Sequence, residues 1–347
     1  MNIICTGISC SGRKELMGDF QALCRQKNVR IGFFNVGDFM RRAAAESGVR
    51  FTEKVLDSDP AVLSLARRSA FHEIMNLASD YDHVFIGLHS CFRWRSRLIE
   101  GFSFRDIKNL PADVFVNVVD DLESIAQRME SNPQWAGMRR EEINVWLDEE
   151  EFLTKQLAIL NDKPHYTVAR QHDDENFFNL LFSEKQKFYL SYPITLLRET
   201  PNEINQIRAF GSNMRKRFIV FDPLYIKDME LIRAAESSPS EKRKIANEDG
   251  ITTISSIDDN LSEQIKTRTI SRDYQFIHQS DFVVVLYPTD KLSPGVLSEM
   301  NYASRYNKPV YAVYSHTRSP FFENLCEHIF DNIEQLDEFL VSRESEK

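Results

Sequence analysis

The sequence lacks the features that define several whole classes of protein. It has no apolar run near the ~20 residues that a membrane-spanning helix needs, and its start, MNIICTGISC, lacks the basic stretch and long apolar core of a signal peptide. Its five cysteines are an odd number without a CxxC pair, so they indicate neither a disulfide framework nor a zinc site. We therefore expect a cytoplasmic protein with reduced thiols, without a metal site and without a membrane partner.

Basic residues are outnumbered by acidic ones, 43 to 52, which gives a net charge of −9. A protein that follows the phosphates of a duplex needs a face rich in lysine and arginine, so nucleic acid is not an expected partner. Small anionic ligands remain compatible with local sites. The chain has 347 residues with 42% hydrophobic residues, and at ~150 residues per domain this predicts two folded domains.

Short apolar runs alternate with amphipathic stretches of helical length in the N-terminal half. Four runs predict buried parallel strands: Ile3 to Thr6, Ile31 to Asn35, Val84 to Gly87 and Val114 to Val119. Helical patterns lie at 15–27, 62–78 and 141–160, and a weaker strand follows at 166–169. This alternation is typical of an α/β domain with right-handed crossovers.

The same alternation starts again after residues 180–186. The predicted elements are strands at 188–192, 218–221, 281–287 and 310–314, and helices at 202–217 and 333–342. Residues 236–265 are polar and predict a surface loop with a helical tail. We therefore predict an α/β protein of two doubly wound parallel-sheet domains, at 1–182 and 186–347.

The segment 271–314 of the second domain carries a candidate site. It predicts helix, strand, loop, helix and strand, and ligands of such sheets bind outside the carboxyl ends of the strands. The loop Pro288 to Pro294 lies at that position. The helix that follows begins near Ser293 and Gly295, and its exposed N–H groups favour an anion.

Two carboxylates accompany this loop. Glu299 lies about one helical turn beyond Gly295, so its side chain points back toward the loop. A carboxylate beside an anomeric carbon can form a covalent glycosyl-enzyme intermediate, and a second one, here Asp273, can protonate the leaving base. These roles require environments that push the two pKa values apart.

Two stretches resemble the nucleoside deoxyribosyltransferase superfamily over about 160 residues with one long insertion. FYLSYPI at 188–194 is similar to its opening strand, of the type YLAGPI, and SRDYQFIHQSDFVVVLYPTDKLSPGVLSEMNYASRYNKPVYAVY at 271–314 is similar to the deoxynucleoside-monophosphate N-glycosidase branch. The resemblance implies that Glu299 is the nucleophile, that Asp273 is the general acid and that Tyr192 lines the pocket. It also implies that Ser293 and Gly295 hold the 5′-phosphate.

The resemblance further implies a cofactor-free reaction and a homo-oligomer, a dimer or larger, in which a neighbouring subunit completes each site. Transferases that act on free nucleosides tend to carry an acidic residue at the position of Ser293. Serine tolerates a phosphate there, so we expect a nucleotide substrate. Leu297 replaces the usual glycine, and Ser298 replaces a tyrosine or another large residue, which predicts a pocket of different shape.

The first domain carries a degenerate phosphate-binding loop, GISCSGRKE at 7–15, between a strand and a helix. Its spacing of Gly7 and Gly12 fits a P-loop, yet the Lys and Ser/Thr that follow in a working loop are replaced. Arg13 and Lys14 occupy these two positions. If the motif is aligned one residue later, so that Lys14 is its lysine, Glu15 occupies the position of the metal-binding Ser/Thr. Ser9, Ser11 and Arg13 could still form an anion nest.

About 170 residues of this half resemble archaeal-type adenylate kinases. FNVGDFM at 34–40, which contains Asp38, is similar to the nucleotide-site helix, and VFIGLHS at 84–90 is similar to a Walker-B-type strand in which Gly87 replaces the acid. Arg139 and Arg140 fall where lid arginines contact phosphates. The resemblance implies an ATP- or AMP-like ligand, with Mg²⁺ left open, in a nucleotide-binding or regulatory domain.

The sequence therefore predicts a nucleotide N-glycosidase or deoxyribosyltransferase, with a nucleotide as its small-molecule partner. Three alternatives stay open: hydrolysis of a dinucleotide such as NAD, a nucleotide sensor without catalysis, and an active nucleoside-monophosphate kinase. The cluster FRWRSR at 92–97 suits either base stacking with phosphate pairing or a solvated loop.

Overall fold

The structure is a computed structural model that describes residues 1–107, 111–229, 232–233, 243–247, 250–254 and 259–345. Up to residue 169 its elements are β1 (Asn2–Thr6), α1 (Arg13–Gln26), β2 (Ile31–Asn35), α2 (Val36–Glu46), α3 (Pro60–Ala78), β3 (His83–Gly87), β4 (Cys91–Trp94), β5 (Arg97–Glu100), α4 (Phe104–Ile107), β6 (Val114–Val119), α5 (Leu122–Glu130), α6 (Arg140–Leu160) and β7 (His165–Ala169). The later elements are α7 (Asp174–Phe182), β8 (Lys187–Ser191), α8 (Pro201–Met214), β9 (Ile219–Phe221), β10 (Arg243–Asn247), β11 (Gly250–Ile254), α9 (Asp259–His278), β12 (Phe282–Leu286), α10 (Pro294–Arg305), β13 (Val310–Val313), α11 (Pro320–Glu323), β14 (His328–Phe330) and α12 (Ile333–Ser345).

The N-terminal sheet has five parallel strands in the order β2-β3-β1-β6-β7. Every residue of β6 is buried, and so are all but the first of β1 and β3. Parallel strands covered by helices on both faces are apolar throughout, and this is why continuous apolar runs identified them correctly. The α/β class and the parallel sheet predicted here are confirmed.

The C-terminal sheet also has five parallel strands, in the order β14-β13-β12-β8-β9. The fully buried strand β12 is central and pairs with β8 so that Val285 lies opposite Ser191. The last residues of β8 and the loop after β12 therefore lie at the same edge of the sheet. A second doubly wound sheet, as the sequence predicts, is confirmed.

Several elements were not predicted. The hairpin β4–β5 turns through Arg95 and Ser96, both with positive φ (50° and 57°). A two-residue turn of this kind usually carries Asn-Gly, so the sequence had no turn signal. The strands β10 and β11 form an antiparallel hairpin inside the stretch that the sequence predicts to be a surface loop, and α7 and β14 are short elements without a clear pattern.

The chain divides into two compact units, Met1–Asp174 with Tyr225–Thr269, and Glu175–Leu224 with Ile270–Lys347. The single division predicted at 182–186 differs from this, because Tyr225–Thr269 groups with the N-terminal residues. The carboxylate of Asp228 accepts the N–H of Leu122 at 2.8 Å and pairs with Arg268 at 2.6 Å, all within the first unit. A contact between residues more than a hundred positions apart leaves no local signal.

None of the helices in the described ranges is long and apolar enough to cross a membrane.

Candidate functional site

The loop after β12 is closed by a tyrosine that the sequence analysis did not single out. The hydroxyl of Tyr287 accepts the N–H of Ser293 at 2.6 Å and donates to the carbonyl of Lys291 at 3.0 Å. Ser293 is the N-cap of α10, and its side chain makes no capping hydrogen bond. Pro294 suits the first turn because its missing N–H would have no helical partner there. The strand end, the loop and the helix start are thus held in one arrangement.

Gly295 lies exposed in the first turn of α10, and beyond its neighbours and the helix backbone no heavy atom of the described residues lies within 4 Å of the position a Cβ would occupy there. The described part of the chain leaves the space beside this backbone open. A ligand could approach the N–H groups of the helix start closely, which is what an anion-binding turn requires.

Glu299, one turn further along α10, points to β8. The Tyr189 hydroxyl lies 3.1 Å from its Oε1, and the Ser191 hydroxyl lies 2.5 Å from its Oε2. Tyr189 and Ser191 are two positions apart on the strand, so their side chains share one face of the sheet. Each carboxylate oxygen of Glu299 therefore has its own hydroxyl donor.

Burial, and then the negative charge of Asp273, raise the pKa of Glu299 to about 8. The hydrogen bonds from Ser191 and Tyr189 and the charge of Arg272 act in the opposite direction. Asp273, on α9, accepts the Arg272 guanidinium through Oδ1 at 3.0 and 3.2 Å. The structure thus brings the two predicted catalytic carboxylates close enough for one to change the titration of the other.

The raised pKa of Glu299 predicts a pH-dependent stability. Between its ordinary value of 4.5 and about 8 the folded state retains a proton that the unfolded state has released, so this group's contribution to stability falls as pH rises through that range. Glu299→Gln removes the titration and should stabilise the protein at pH 8 by on the order of 4 kcal/mol, with a difference of less than about 1 kcal/mol at pH 5. Calorimetric unfolding at both pH values measures this.

The exposed Glu323 on α11 supplies the control, since Glu323→Gln should follow the wild-type pH dependence. Parallel pH profiles for wild type and Glu299→Gln would contradict the raised pKa.

Tyr192 is 3% exposed and lies in the apolar core of the second unit, with Phe210, Leu286 and Leu340. Its hydroxyl donates to Oδ1 of Asp222 at 2.8 Å. The predicted role of Tyr192 in lining the pocket stays a prediction, and its hydroxyl is already engaged by a buried carboxylate.

A cavity of about 550 Å³ lies in the same unit between α8, the end of β12 and the start of α12. Tyr287 and Pro288, where the loop begins, line part of it. Four carboxylates also line it: Glu203, Asp331, Glu334 and Asp337. A phosphate would be repelled there, so the helix start at Gly295 is the better position for an anion.

The predicted phosphate loop of the first unit has two glycines with positive φ, Gly7 at 146° and Gly12 at 83°. A Cβ at Gly12 would lie 1.9 Å from the side chain of Arg170, so only glycine fits. Ser9 is half-buried, and Ser11 is fully buried, with no hydrogen-bond partner for its hydroxyl among the residues that the structure describes.

The basic residues predicted to meet phosphate in this unit have partners inside it. Lys14 pairs with Asp38 at 3.0 Å on the surface, and Arg140 binds both oxygens of Glu123 at 2.5 and 2.7 Å. Arg139 is more exposed, with Glu142 at 3.7 Å. The phosphate contacts of Lys14, Arg139 and Arg140 stay predictions. A phosphate that binds Arg140 would have to compete with the two hydrogen bonds that Arg140 makes to Glu123.

Arg13 is only 5% exposed, and its guanidinium donates to the carbonyls of Cys5, at 3.3 Å, and Leu88. Its second nitrogen lies 3.2 Å from Nε2 of His89, whose pKa burial holds well below its usual value. A neutral His89 can accept that bond. The predicted contact of Arg13 with a phosphate therefore requires the guanidinium to leave the acceptors that it has in the interior.

A buried carboxylate that the sequence analysis missed holds the same region together. Glu150 on α6 accepts the N–H groups of Gly7 at 3.1 Å, Ser90 at 2.8 Å and Cys91 at 2.9 Å. Burial raises its pKa. Glu150 lies seven residues after Ile143 on the buried stripe of α6, and an acid on an apolar stripe is the signal that could have found it.

The cluster FRWRSR forms the hairpin β4–β5 with partners in the first unit. Arg93 binds both oxygens of Glu149 at 2.5 and 3.0 Å. The Trp94 indole N–H and Arg95 each donate to Asp57, at 2.7 and 2.6 Å. The cluster is therefore not a solvated loop, which is one of the two structures that its sequence allows.

Within the described parts of the chain, no group of three or more His, Cys, Asp or Glu side chains is arranged to hold a metal ion. Searches with models of known protein families and against curated proteins find no match. Solved structures similar to this chain include a GTPase from Pyrococcus abyssi in its apo form, at 13% identity and a TM-score of 0.26, covering 52% of this chain and 95% of the GTPase. Another is the folylpolyglutamate synthetase of Helicobacter pylori, at 11% identity and a TM-score of 0.24, covering 96% of this chain and 83% of the synthetase. At such TM-scores neither similarity carries an argument about this chain.

Proposed function

We propose that the second unit cleaves the N-glycosidic bond of a nucleoside or deoxynucleoside monophosphate through a covalent intermediate on Glu299. The observation that carries this proposal is a half-buried carboxylate held by two hydroxyls, close to a second carboxylate, Asp273. A nucleophile and an acid at one edge of a parallel sheet, beside an open helix start, are the parts that such a reaction requires.

The reaction has two steps. A Glu299 oxygen attacks C1′ of the sugar, the C1′–N bond breaks, and Asp273 gives its proton to the departing base. In the second step water attacks C1′, Asp273 takes the proton from that water, and the ester to Glu299 breaks. If a second base replaces water, the same steps transfer the sugar. No cofactor takes part.

The two carboxylates must hold one proton between them, and it must lie on Asp273 when the bond breaks. In the free protein the pKa of about 8 favours a protonated Glu299 at neutral pH, and the Arg272 guanidinium donates to Asp273. Substrate binding has to reverse this distribution. The cationic character of the breaking bond favours an ionised Glu299, which is the direction needed.

A phosphate on the substrate is favoured by the turn at Ser293 and Gly295. It combines the start of a helix, space beside Gly295 and a serine hydroxyl that makes no capping bond. These groups would fix C1′ relative to Glu299 through the 5′ end of the sugar, and such positioning lowers the barrier.

Wild-type protein should release free base from nucleoside monophosphates faster than from the matching nucleosides. Ser293→Asp should lower release from a monophosphate at least about tenfold because of charge repulsion, with a smaller effect on nucleosides. Chromatography of free base across deoxy- and ribonucleotides, nucleosides and NAD measures this.

Ser293→Asn is the matched control, because it has the shape of aspartate without the charge. Equal losses for monophosphate and nucleoside would contradict the phosphate site. No base release from any compound would contradict the proposed reaction, and release of nicotinamide alone would favour a dinucleotide substrate.

We propose a nucleotide-binding or regulatory role for the first unit rather than phosphoryl transfer. Arg13 makes its hydrogen bonds in the interior, and Glu15 stands where one register of the loop would need a metal-binding hydroxyl. We also propose that the protein forms a dimer or a larger homo-oligomer. This part of the proposal is supported only by the resemblance to the deoxyribosyltransferase superfamily.

A further inference from the structure

We infer that Ser191 is a positioning residue for Glu299, an inference that rests on the proposed function. Ser191 is the last residue of β8 and is fully buried. Its hydroxyl donates to Oε2 of Glu299 at 2.5 Å. Tyr189 holds the other oxygen at 3.1 Å. With one donor on each oxygen, the carboxylate plane cannot rotate freely.

The strand supports this arrangement. β8 pairs with β12 on one side and with β9 on the other, so the backbone of Ser191 is fixed within the sheet opposite Val285. A serine side chain has a single heavy-atom rotor, and little conformational entropy is lost in holding it. Its position relative to Glu299 is therefore set by the sheet and by the packing of α10.

Ser191 also affects the protonation state of the nucleophile. Burial and the charge of Asp273 oppose ionisation of Glu299, whereas a donated hydrogen bond stabilises the ionised form. The Ser191 hydroxyl has no polar partner other than Glu299 among the described residues, and its burial keeps it out of contact with solvent. It acts on the reaction through Glu299.

The hydrogen bond from Ser191 should therefore influence how the reaction rate depends on pH. An enzyme of this kind is active at pH values above the pKa of its nucleophile, because the nucleophile must be ionised. By lowering the pKa of Glu299, Ser191 brings the lower pH limit of activity closer to neutral pH. Without the hydroxyl, a smaller fraction of Glu299 is ionised at pH 7, and the remaining ionised fraction is held less precisely.

The test compares Ser191→Ala with Ser280→Ala. Ser280 is another buried serine of the same unit, and its hydroxyl donates to the carbonyl of Phe276 at 2.7 Å. The pKa of Glu299 is followed by carboxyl carbon NMR of glutamate-labelled protein, with the signal assigned by its loss in Glu299→Gln. Circular dichroism confirms that each variant is folded.

We expect Ser191→Ala to raise the pKa of Glu299 by about one pH unit and to lower kcat at pH 7 about tenfold. The acidic limb of the kcat/KM profile should shift by the same amount, because it reports the free protein, and KM should change less than about twofold. Ser280→Ala should change none of these quantities. Ser191→Thr, which keeps the hydroxyl, should restore most of the wild-type pKa.

An unchanged Glu299 pKa in folded Ser191→Ala would overturn the inference, and so would an equal shift in Ser280→Ala. The NMR titration does not depend on turnover. If wild-type protein releases no base, the proposed function fails while the titration still decides whether Ser191 controls Glu299.

Discussion

Replacing Glu299 with glutamine is expected to lower base release from a nucleoside monophosphate by at least about a thousandfold. The amide has the shape of the carboxylate and can still accept hydrogen bonds from Tyr189 or Ser191 through its oxygen, so the site should stay folded. It cannot form the ester to C1′. The variant therefore loses the covalent step. Its residual rate measures what the rest of the site contributes by holding the substrate in position.

Two measurements separate this loss from a general defect. Glu323→Gln, on the exposed surface of α11, should retain wild-type release. Mass spectrometry of protein quenched during turnover should detect a sugar phosphate attached to the wild type and none attached to Glu299→Gln. Release at the wild-type rate by the glutamine variant would show that Glu299 is not the nucleophile.

Replacing Glu150 with alanine should lower the free energy of unfolding of the first unit by about 3 kcal/mol or more. The substitution removes the acceptor of three backbone N–H groups, those of Gly7, Ser90 and Cys91, in a place that water does not reach. It also leaves a cavity beside Arg13. Glu150→Gln keeps one acceptor oxygen and should lie between alanine and wild type.

The three tryptophans of the sequence, Trp94, Trp135 and Trp146, all belong to the first unit, so tryptophan fluorescence during urea unfolding reports that unit selectively. Glu149→Ala is the neighbouring control. It breaks only the partly exposed ion pair with Arg93 and should cost about 1 kcal/mol or less. A similarly small cost for Glu150→Ala would contradict its structural role.

This carboxylate also bears on the predicted phosphate loop. Glu150 takes the N–H of Gly7 directly after β1 and two N–H groups in the chain that follows β3, where the carboxyl ends of two neighbouring strands meet. Ligands of parallel sheets bind at that edge. In this protein the carboxyl group of a side chain accepts the N–H groups at that edge.

Much of the fold could be read from the sequence because its information is local. The buried strands β1, β3, β6 and β12 are continuous apolar runs, which parallel sheets require on both faces. The two-residue turn between β4 and β5 was missed because Arg95 and Ser96 are not usual turn residues. The hairpin β10–β11 was missed although Asn247 and Gly250 are turn residues, because the stretch around it is polar and has few large apolar side chains. Spacing along the chain alone placed Glu299 one turn after Gly295.

The sequence by itself thus determined the α/β class, the two parallel sheets and the choice of Glu299 and Asp273 as candidates. Only the tertiary structure decided what surrounds them. The donors to Glu299, Tyr189 and Ser191, lie 110 and 108 positions away along the chain. Periodicity reports which face of an element is buried, whereas a pKa depends on burial and on charges that folding brings together from distant positions. The raised pKa of Glu299 is for this reason a property of the folded unit.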